Sequence, residues 1–433
     1  MRSGSIVRGV ACVALVWGMA YRADARSLSD RIDTLFGAGG IVLDVHPVNP
    51  NFPPHTAHFS SASLAALGLL VKQLAPSAAD FPAISTAPGI TYTYNPQLQA
   101  FERSSTSLGP VFVERPETIG RGKFDIGFSY LFVDFNELNG KDLDHLAFTL
   151  HHNDCCGPRP SPGFPEFEND TIGVRFQKFS LQSHVVSLSA TYGITDRWDV
   201  NMLIPVVFTS LKLRARATIN DTTQPPVHFF NNELRTLSEV RSDSADTTGV
   251  GDLQLRTKYH LLDWEGLKIA SGLVLRVPTG EENDFQGIGD TTLTPFLSLA
   301  HEYGRINLHA STGIEINWND SDRSRVRYAG GVTVQVLDRV ALLGDVIGSS
   351  NLKTDRIAVE VPVFSASPTT FPPLPVGFAR EHRSLHTDIL DFAVGFKANL
   401  YGSVVGFATV FIPLNDDGLR ADAIPAAGLE VSF

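Results

Sequence analysis

Residues 387–414 read TDILDFAVGFKANLYGSVVGFATVFIPL, and two alternating segments in this stretch decide the fold. Apolar side chains such as Phe392 and Phe396 recur at every second position, and Asp391 and Lys397 lie between them. This spacing is typical of a β-strand with one apolar face and one polar face. The tripeptide YGS separates the two segments. The stretch therefore predicts two antiparallel strands joined by a tight turn.

Similar segments recur along the chain from Gly122 onward. Most have roughly ten to fourteen residues, the length that a tilted strand needs to cross a bilayer, and one is longer. The predicted strands are Lys123–Asp134, Leu181–Gly193, Trp198–Ile219, Gly251–Leu262, Leu267–Val277, Asp290–Tyr303, Ile306–Trp318, Val326–Leu337, Val340–Ser349, Thr387–Leu400, Val404–Leu414 and Ala423–Phe433.

The connections between these segments alternate strictly between long and short. Bacterial barrels have short periplasmic turns and longer outer loops, and their strand number is even. The first connection, 135–180, is long, as expected if the barrel begins and ends at the periplasmic side. Beyond the N-terminal region no run of apolar residues is long enough for a transmembrane helix. We predict an all-β protein, a transmembrane antiparallel up-and-down β-barrel of about 12 strands at 122–433.

The two ends of the chain indicate export to the bacterial outer membrane. Arg2 and Arg8 precede an apolar stretch, and Ala23-Asp24-Ala25 is a cleavage site, so we predict a signal peptide at 1–25. The last residues, AGLEVSF, alternate up to the terminal Phe433. We expect this closing strand to be recognised by the barrel assembly machinery, with outer-membrane lipid surrounding the folded barrel.

Residues 26–121 do not fit the strand pattern. They contain Pro-rich loops and a segment that opens at Ser60 and predicts a short apolar helix to about Leu74. That helix is too short to span a membrane. The segment is therefore predicted to be either an N-terminal plug inside the barrel or a small periplasmic cap.

Composition and motifs argue against several classes of function. The net charge is −11, and a nucleic-acid surface needs clustered Lys and Arg, so we predict no nucleic-acid partner. Cys155 and Cys156 follow His151 and His152, a set that suits a soft metal or an exposed cysteine pair. We favour the cysteine pair and predict no metal. No nucleophile-elbow or HExxH motif occurs, so we predict neither an enzyme nor a cofactor.

Inward-facing charged residues are the candidates for a functional site. Both signs occur, which argues against an ion-selective pore built from rings of like charge. Two readings stay open: opposite charges that pair across the lumen, or side chains that contact a ligand. The candidates are Asp125, Arg256, Lys258, Arg276, Glu315, Arg327, Asp345, Asp391, Lys397 and Glu430.

Several short motifs resemble a known family. They are YGITDRWDV at 192–200, LIPV at 203–206, GVGDL at 249–253, RVPTG at 276–280 and GIGD at 287–290. Together they resemble the outer-membrane family named for the MetA pathway of phenol degradation, whose relatives are channels for aromatic compounds and fatty acids. The resemblance implies passive uptake of small hydrophobic or aromatic compounds and assigns no ligand residues. Two alternatives remain: an adhesion or structural barrel with long surface loops, and a barrel hydrolase.

Overall fold

The structure is a computed structural model. It describes residues 26–44, 59–86, 92–95, 100–103, 108–151, 170–220, 228–353, 355–364, 375–385 and 388–433. The predicted signal peptide and the Cys155-Cys156 pair lie outside these ranges. No helix in the described ranges has the length and apolarity needed to cross a membrane.

Strands dominate the described residues, with two helices near the N-terminus. The helices are α1 (Leu28–Asp33) and α2 (Ser60–Ala78). The strands are β1 (Tyr92–Asn95), β2 (Ala100–Arg103), β3 (Phe124–Phe135), β4 (Glu137–Leu138), β5 (Lys141–Asp142), β6 (Ala147–His151), β7 (Thr171–Thr195), β8 (Trp198–Asn220), β9 (Ser238–Val250), β10 (Leu253–Trp264), β11 (Leu267–Val277), β12 (Thr292–Tyr303), β13 (Ile306–Asn317), β14 (Arg325–Leu337), β15 (Val340–Asn351), β16 (Asp355–Phe364), β17 (Pro375–Leu385), β18 (Ile389–Tyr401), β19 (Val404–Pro413), β20 (Leu419–Arg420) and β21 (Ile424–Ser432).

Twelve of these strands form a closed antiparallel barrel, which confirms the predicted fold. The ring runs β3, β7, β8, β10, β11, β12, β13, β14, β15, β18, β19 and β21. It closes because β21 pairs with β3, for example Leu429 opposite Phe128. Closure leaves every strand of the ring paired on both sides, so no open edge remains. We call the end with the tight turns the turn end, and the opposite end the loop end.

The outward face of the barrel is apolar. On β3 the exposed apolar side chains are Phe124, Ile126, Phe128 and Tyr130, and the residues between them are buried. Aromatic side chains lie at strand ends, where Trp264 and Tyr401 are among the most exposed large residues of the barrel. An apolar band between aromatic girdles is the surface that a bilayer requires of a membrane barrel.

Three features extend the predicted pattern. Strand β7 begins at Thr171, ten residues before the predicted start at Leu181, because it pairs with β8 along nearly its whole length. Strand β9 has polar residues on both faces and was not predicted; it pairs with the loop-end half of β8. Strands β16 and β17 form a separate hairpin in the long loop after β15.

The N-terminal helices lie at the loop end. Ser27 caps α1 through a capping box with Asp30, which satisfies backbone donors at the start of the helix. The amide of Leu28 donates to Asp284, in the loop after β11, at 2.9 Å. Buried leucines of α2, such as Leu67 and Leu74, pack in one apolar core with the inner faces of β7 and β8. These contacts place the chain's first described residues at the loop end of the barrel.

Candidate functional site in the barrel interior

Asp80 lies just after α2 and contacts three arginines of the barrel wall. Its carboxylate is 3.3 Å from Arg276, 2.9 Å from Arg325 and 2.7 Å from Arg327. Glu315 completes the group, at 2.7 Å from Arg325 and 2.6 Å from Arg327. Burial alone raises the pKa of Asp80, but the three guanidinium groups outweigh burial and lower that pKa below its ordinary range. The carboxylate is therefore ionised and held by the wall.

Residues 81–86 continue from Asp80 along the inner wall. The Arg256 guanidinium donates to the carbonyl of Ile84 at 2.6 Å, and Thr191 donates to the carbonyl of Thr86 at 3.0 Å. We call residues 26–121 the leader; within it, the amide of Ser85 donates to the carbonyl of Val111 at 2.8 Å. Backbone carbonyls of a loop segment thus accept hydrogen bonds from wall side chains, as buried polar groups require.

Residues 108–121 form a second segment along the wall, toward the turn end. Glu114 accepts from Lys258 at 2.9 Å, and Glu117 is 3.0 Å from Lys268. Burial raises the pKa of Glu117, but Arg115 and Lys268 outweigh it and bring that pKa down to about 2. The segment ends where the amide of Arg121 donates to Asp196, in the turn between β7 and β8, at 3.1 Å.

The predicted inward residues all lie on the face opposite the exposed apolar side chains, and eight of them are buried. Arg327 and Asp391 are partly exposed. Lys397 is 2.7 Å from Glu430, and Ser432 donates to Asp125 at 2.7 Å. The remaining contacts within the barrel and its loops pair Arg276 with Asp252, Asp345 with His309, and Asp391 with Arg420. The structure therefore brings opposite charges together, and no ring of like charge forms among the described residues.

A cavity of about 210 Å³ lies between the leader and the wall. Its apolar lining includes Phe81 and Phe112 from the leader and Phe296 from β12, and its polar lining includes Arg276 and Glu315. Phe296 is opposite Gly272 on one side and Gly313 on the other. A β-carbon at Gly272 would lie 2.3 Å from the Phe296 ring, so glycine is needed there for the ring to occupy its position. The cavity combines aromatic walls with a charged end.

The sequence pattern did not identify the leader's share of this site. Asp80, Glu114 and Glu117 lie in irregular segments, where no strand or helix period assigns a direction to a side chain. Their only signal is that carboxylates occur in a segment otherwise rich in Pro, Ala and Phe. In the described part of the chain, no cluster of His, Cys, Asp and Glu has the size to hold a metal ion.

Residues 162–336 match a protein family described as "Putative MetA-pathway of phenol degradation". The family resemblance is confirmed. The match covers β7 to nearly the end of β14, and so includes the wall residues Arg256, Arg276 and Glu315. It does not include the leader. No curated protein matches the chain.

Several solved structures are similar to the chain at low sequence identity. The COG4313 outer membrane channel from Pseudomonas putida F1 is 14% identical, with 73% of this chain and 97% of that one covered and a TM-score of 0.43. The CymD monoaromatic hydrocarbon channel is 11% identical, with 73% and 91% covered and a TM-score of 0.33. A FadL homologue of Pseudomonas aeruginosa is 8% identical, with 72% and 89% covered and a TM-score of 0.31.

Proposed function

We propose that this protein is an outer-membrane channel for passive uptake of small hydrophobic or aromatic compounds, with residues 26–121 as its plug. The loop end faces the exterior and the turn end faces the periplasm, as in bacterial barrels with long outer loops. The signal peptide at 1–25 and recognition of the Phe433 strand by the assembly machinery belong to the same proposal.

One observation carries this proposal: the barrel interior is occupied by a segment that is not part of the wall. In a small barrel the wall's own side chains fill the lumen. Here residues 80–86 and 108–121 contact the inner wall, and a cavity of about 210 Å³ remains beside them. A lumen filled by a separate segment opens when that segment moves, without breaking the barrel.

The size and lining of the cavity favour aromatic solutes. An apolar protein cavity of roughly 150 Å³ is sufficient to bind benzene. The present cavity is larger, and Phe81, Phe112 and Phe296 offer ring faces and edges to a solute. The charged end near Arg276 and Glu315 suits a small polar substituent on such a ring. The match of residues 162–336 to a family named for phenol degradation supports the same chemistry.

The two alternative functions, an anchoring barrel and a barrel hydrolase, account less well for the segment inside the barrel. A barrel that only anchors surface loops has no need of a separate segment inside it. A hydrolase needs a nucleophile beside a base. The described pair His309 and Asp345 is 2.7 Å apart and buried, but Asn307 is the other partner of this histidine, and no serine or cysteine hydrogen-bonds to it in the described residues.

Uptake into proteoliposomes tests the proposal. We expect radiolabelled toluene and phenol to enter vesicles that contain a mature chain lacking residues 26–115 faster than vesicles with the full mature chain. Labelled glucose measures non-selective leakage. A variant that lacks the β16–β17 hairpin, residues 355–385, is the control, because it loses a different segment outside the ring of strands and keeps the leader.

The outcomes separate the candidates. Faster entry of the aromatic probes in the leader deletion alone supports a plugged channel. No entry with either chain, when the barrels are folded by circular dichroism and heat-dependent gel mobility, contradicts transport and favours an anchor. Hydrolysis of a lipid ester by the full chain, lost in a single His or Ser variant, favours the hydrolase.

A further inference from the structure

The outward face of β8 changes chemistry along its length. From Trp198 at the turn end to Phe208, the side chains that face out are apolar, and Met202 and Phe208 are each more than two-fifths exposed. Beyond Ser210 the same face carries Lys212, Arg214 and Arg216, all exposed. Even-numbered residues of β8 face outward along this whole stretch. These three cations therefore lie on the same outer face as the apolar band, directly beyond it toward the loop end.

Strand β7 adds two more cations to this face. Arg175 is directly opposite Arg216, and Lys178 is directly opposite Arg214. Both β7 side chains are exposed. We call Arg175, Lys178, Lys212, Arg214 and Arg216 the basic patch. Like charges directly opposite on neighbouring strands destabilise a sheet, so this register is unfavourable unless an anion lies between them.

Most cations of the basic patch have no acidic partner among the described residues. Lys178 pairs with Asp144 at 3.0 Å, while the described hydrogen-bond partner of Arg214 is the neutral Gln177, at 3.2 Å. Asp246 lies at the lower edge, where its backbone position is opposite Ser210. Among the residues that the structure describes, Arg175, Lys212, Arg214 and Arg216 form no ion pair. The basic patch is therefore a local excess of positive charge, whereas the net charge of the whole chain is −11.

The height of the patch matches the polar layer of a membrane. A strand rises about 3.3 Å per residue and tilts by about 40° in such barrels. Trp198 to Phe208 therefore spans roughly 25 Å along the membrane normal, the usual height of the apolar band. Lys212 then stands about 10 Å beyond that band, at the level of lipid phosphates and sugars, and Arg216 stands higher still.

We propose that the basic patch binds the phosphate groups of the anionic glycolipid in the outer leaflet, with two or more phosphates bridged by the paired cations. Arginine suits this role because its planar fork binds phosphate oxygens through two hydrogen bonds. The inference rests on the orientation given in the proposed function, with the loop end outside, but not on transport. A lipid held there fixes the β7–β8 extension, whose inner face packs against α2.

Binding of purified lipid A to the full mature chain in detergent tests this. The probes are lipid A with two phosphates and the same lipid after enzymatic dephosphorylation, measured by native mass spectrometry and by the shift in Tm. The test variant is Lys212→Gln, Arg214→Gln and Arg216→Gln. The matched control is Arg197→Gln, Arg305→Gln and Arg339→Gln, which removes equal charge from exposed positions at the turn end.

We expect the phosphorylated lipid to bind the wild-type chain and the control equally. Each cation near an anionic membrane surface is worth about fivefold in affinity, so the loss of three cations lowers the affinity of the test variant roughly 100-fold. Replacement of Lys212 by Arg retains binding. Equal affinity of the test variant and the control, or equal binding of the dephosphorylated lipid, overturns the proposal. Aromatic uptake is assayed separately, so failure of lipid binding is distinguishable from failure of the channel.

Discussion

The leader is held in the barrel by two kinds of contact at two heights. At the loop end, α2 buries Leu67, Leu70 and Leu74 against the inner faces of β7 and β8. Farther down, residues 80–86 and 108–121 form buried ion pairs and hydrogen bonds to the wall, such as Asp80 to Arg327, in addition to apolar contacts such as those of Val111. The first region is an apolar cover, and the second is a charged anchor.

The difference assigns different roles to the two regions. Apolar burial is non-directional and proportional to area, so the cover tolerates small displacements and accepts an apolar solute in place of one of its own contacts. Buried ion pairs require specific geometry, and loss of one partner leaves an uncompensated charge. In the channel that we propose, we therefore expect the anchor to fix the position of the leader and the cover to admit apolar molecules. Four predictions test this division, in order of expected size.

Replacing Asp80 by Ala removes the carboxylate that three arginines share. We expect the docked leader to lose about 3–5 kcal/mol of stability, because three guanidinium groups lose at once a carboxylate partner that they share, and keep only Glu315 and Asp252. Hydrogen exchange of the amides in residues 80–86 and 108–121 measures this loss, and aromatic uptake rises in parallel. The control is Asp33→Asn in α1, where burial and the nearby Asp30 raise the pKa of Asp33. That substitution should leave protection unchanged, and an equal loss in both variants would refute a specific anchor.

Leu74→Ala creates a cavity in the apolar cover. Leu74 is fully buried, so we expect a loss of about 2–4 kcal/mol in the stability of α2 docking. Exchange should increase in α2, while amides near Asp80 keep most of their protection. Leu69→Ala, at a half-buried position of the same helix, is the control with a smaller loss. Equal loosening along the whole leader would mean that cover and anchor are one cooperative unit.

The sequence pattern predicted the strands of the barrel wall much better than the structure of the leader inside the barrel. The strands of the ring were predictable because lipid on one side imposes alternation on every strand, as with Leu255 and Arg256 on β10. Strand β9 faces neither lipid nor a continuous core, so its polar sequence carries no such signal. The inward charges of the wall were predicted, whereas Asp80 and Glu114 were not. Their positions depend on a fold of the leader that no period in the sequence describes.

A double-mutant cycle on the Glu114–Lys258 pair measures the strength of one ion pair in the anchor. Glu114→Gln and Lys258→Met are each expected to weaken leader docking, and the double variant should be weakened by less than the sum of the two. We expect a coupling of about 1–3 kcal/mol in hydrogen exchange of residues 108–119, because the two charged groups touch at 2.9 Å away from bulk water. Additive effects would indicate that other partners of Glu114, such as Thr86, provide most of the hold.

The smallest expected effect is that of mild acid. The folded-state pKa values of Asp80 and Glu117 are both lowered, that of Glu117 to about 2. A carboxylate with a lowered folded pKa contributes stability that is fully present above its unfolded pKa of roughly 4 and is lost as the pH falls toward the folded value. Single-channel conductance in planar bilayers should therefore stay constant from pH 7 to about pH 5 and rise only below about pH 4. In Asp80→Ala the channel should already be open at pH 7. Opening of the wild-type channel between pH 7 and about pH 5 would contradict control of the leader by these two carboxylates.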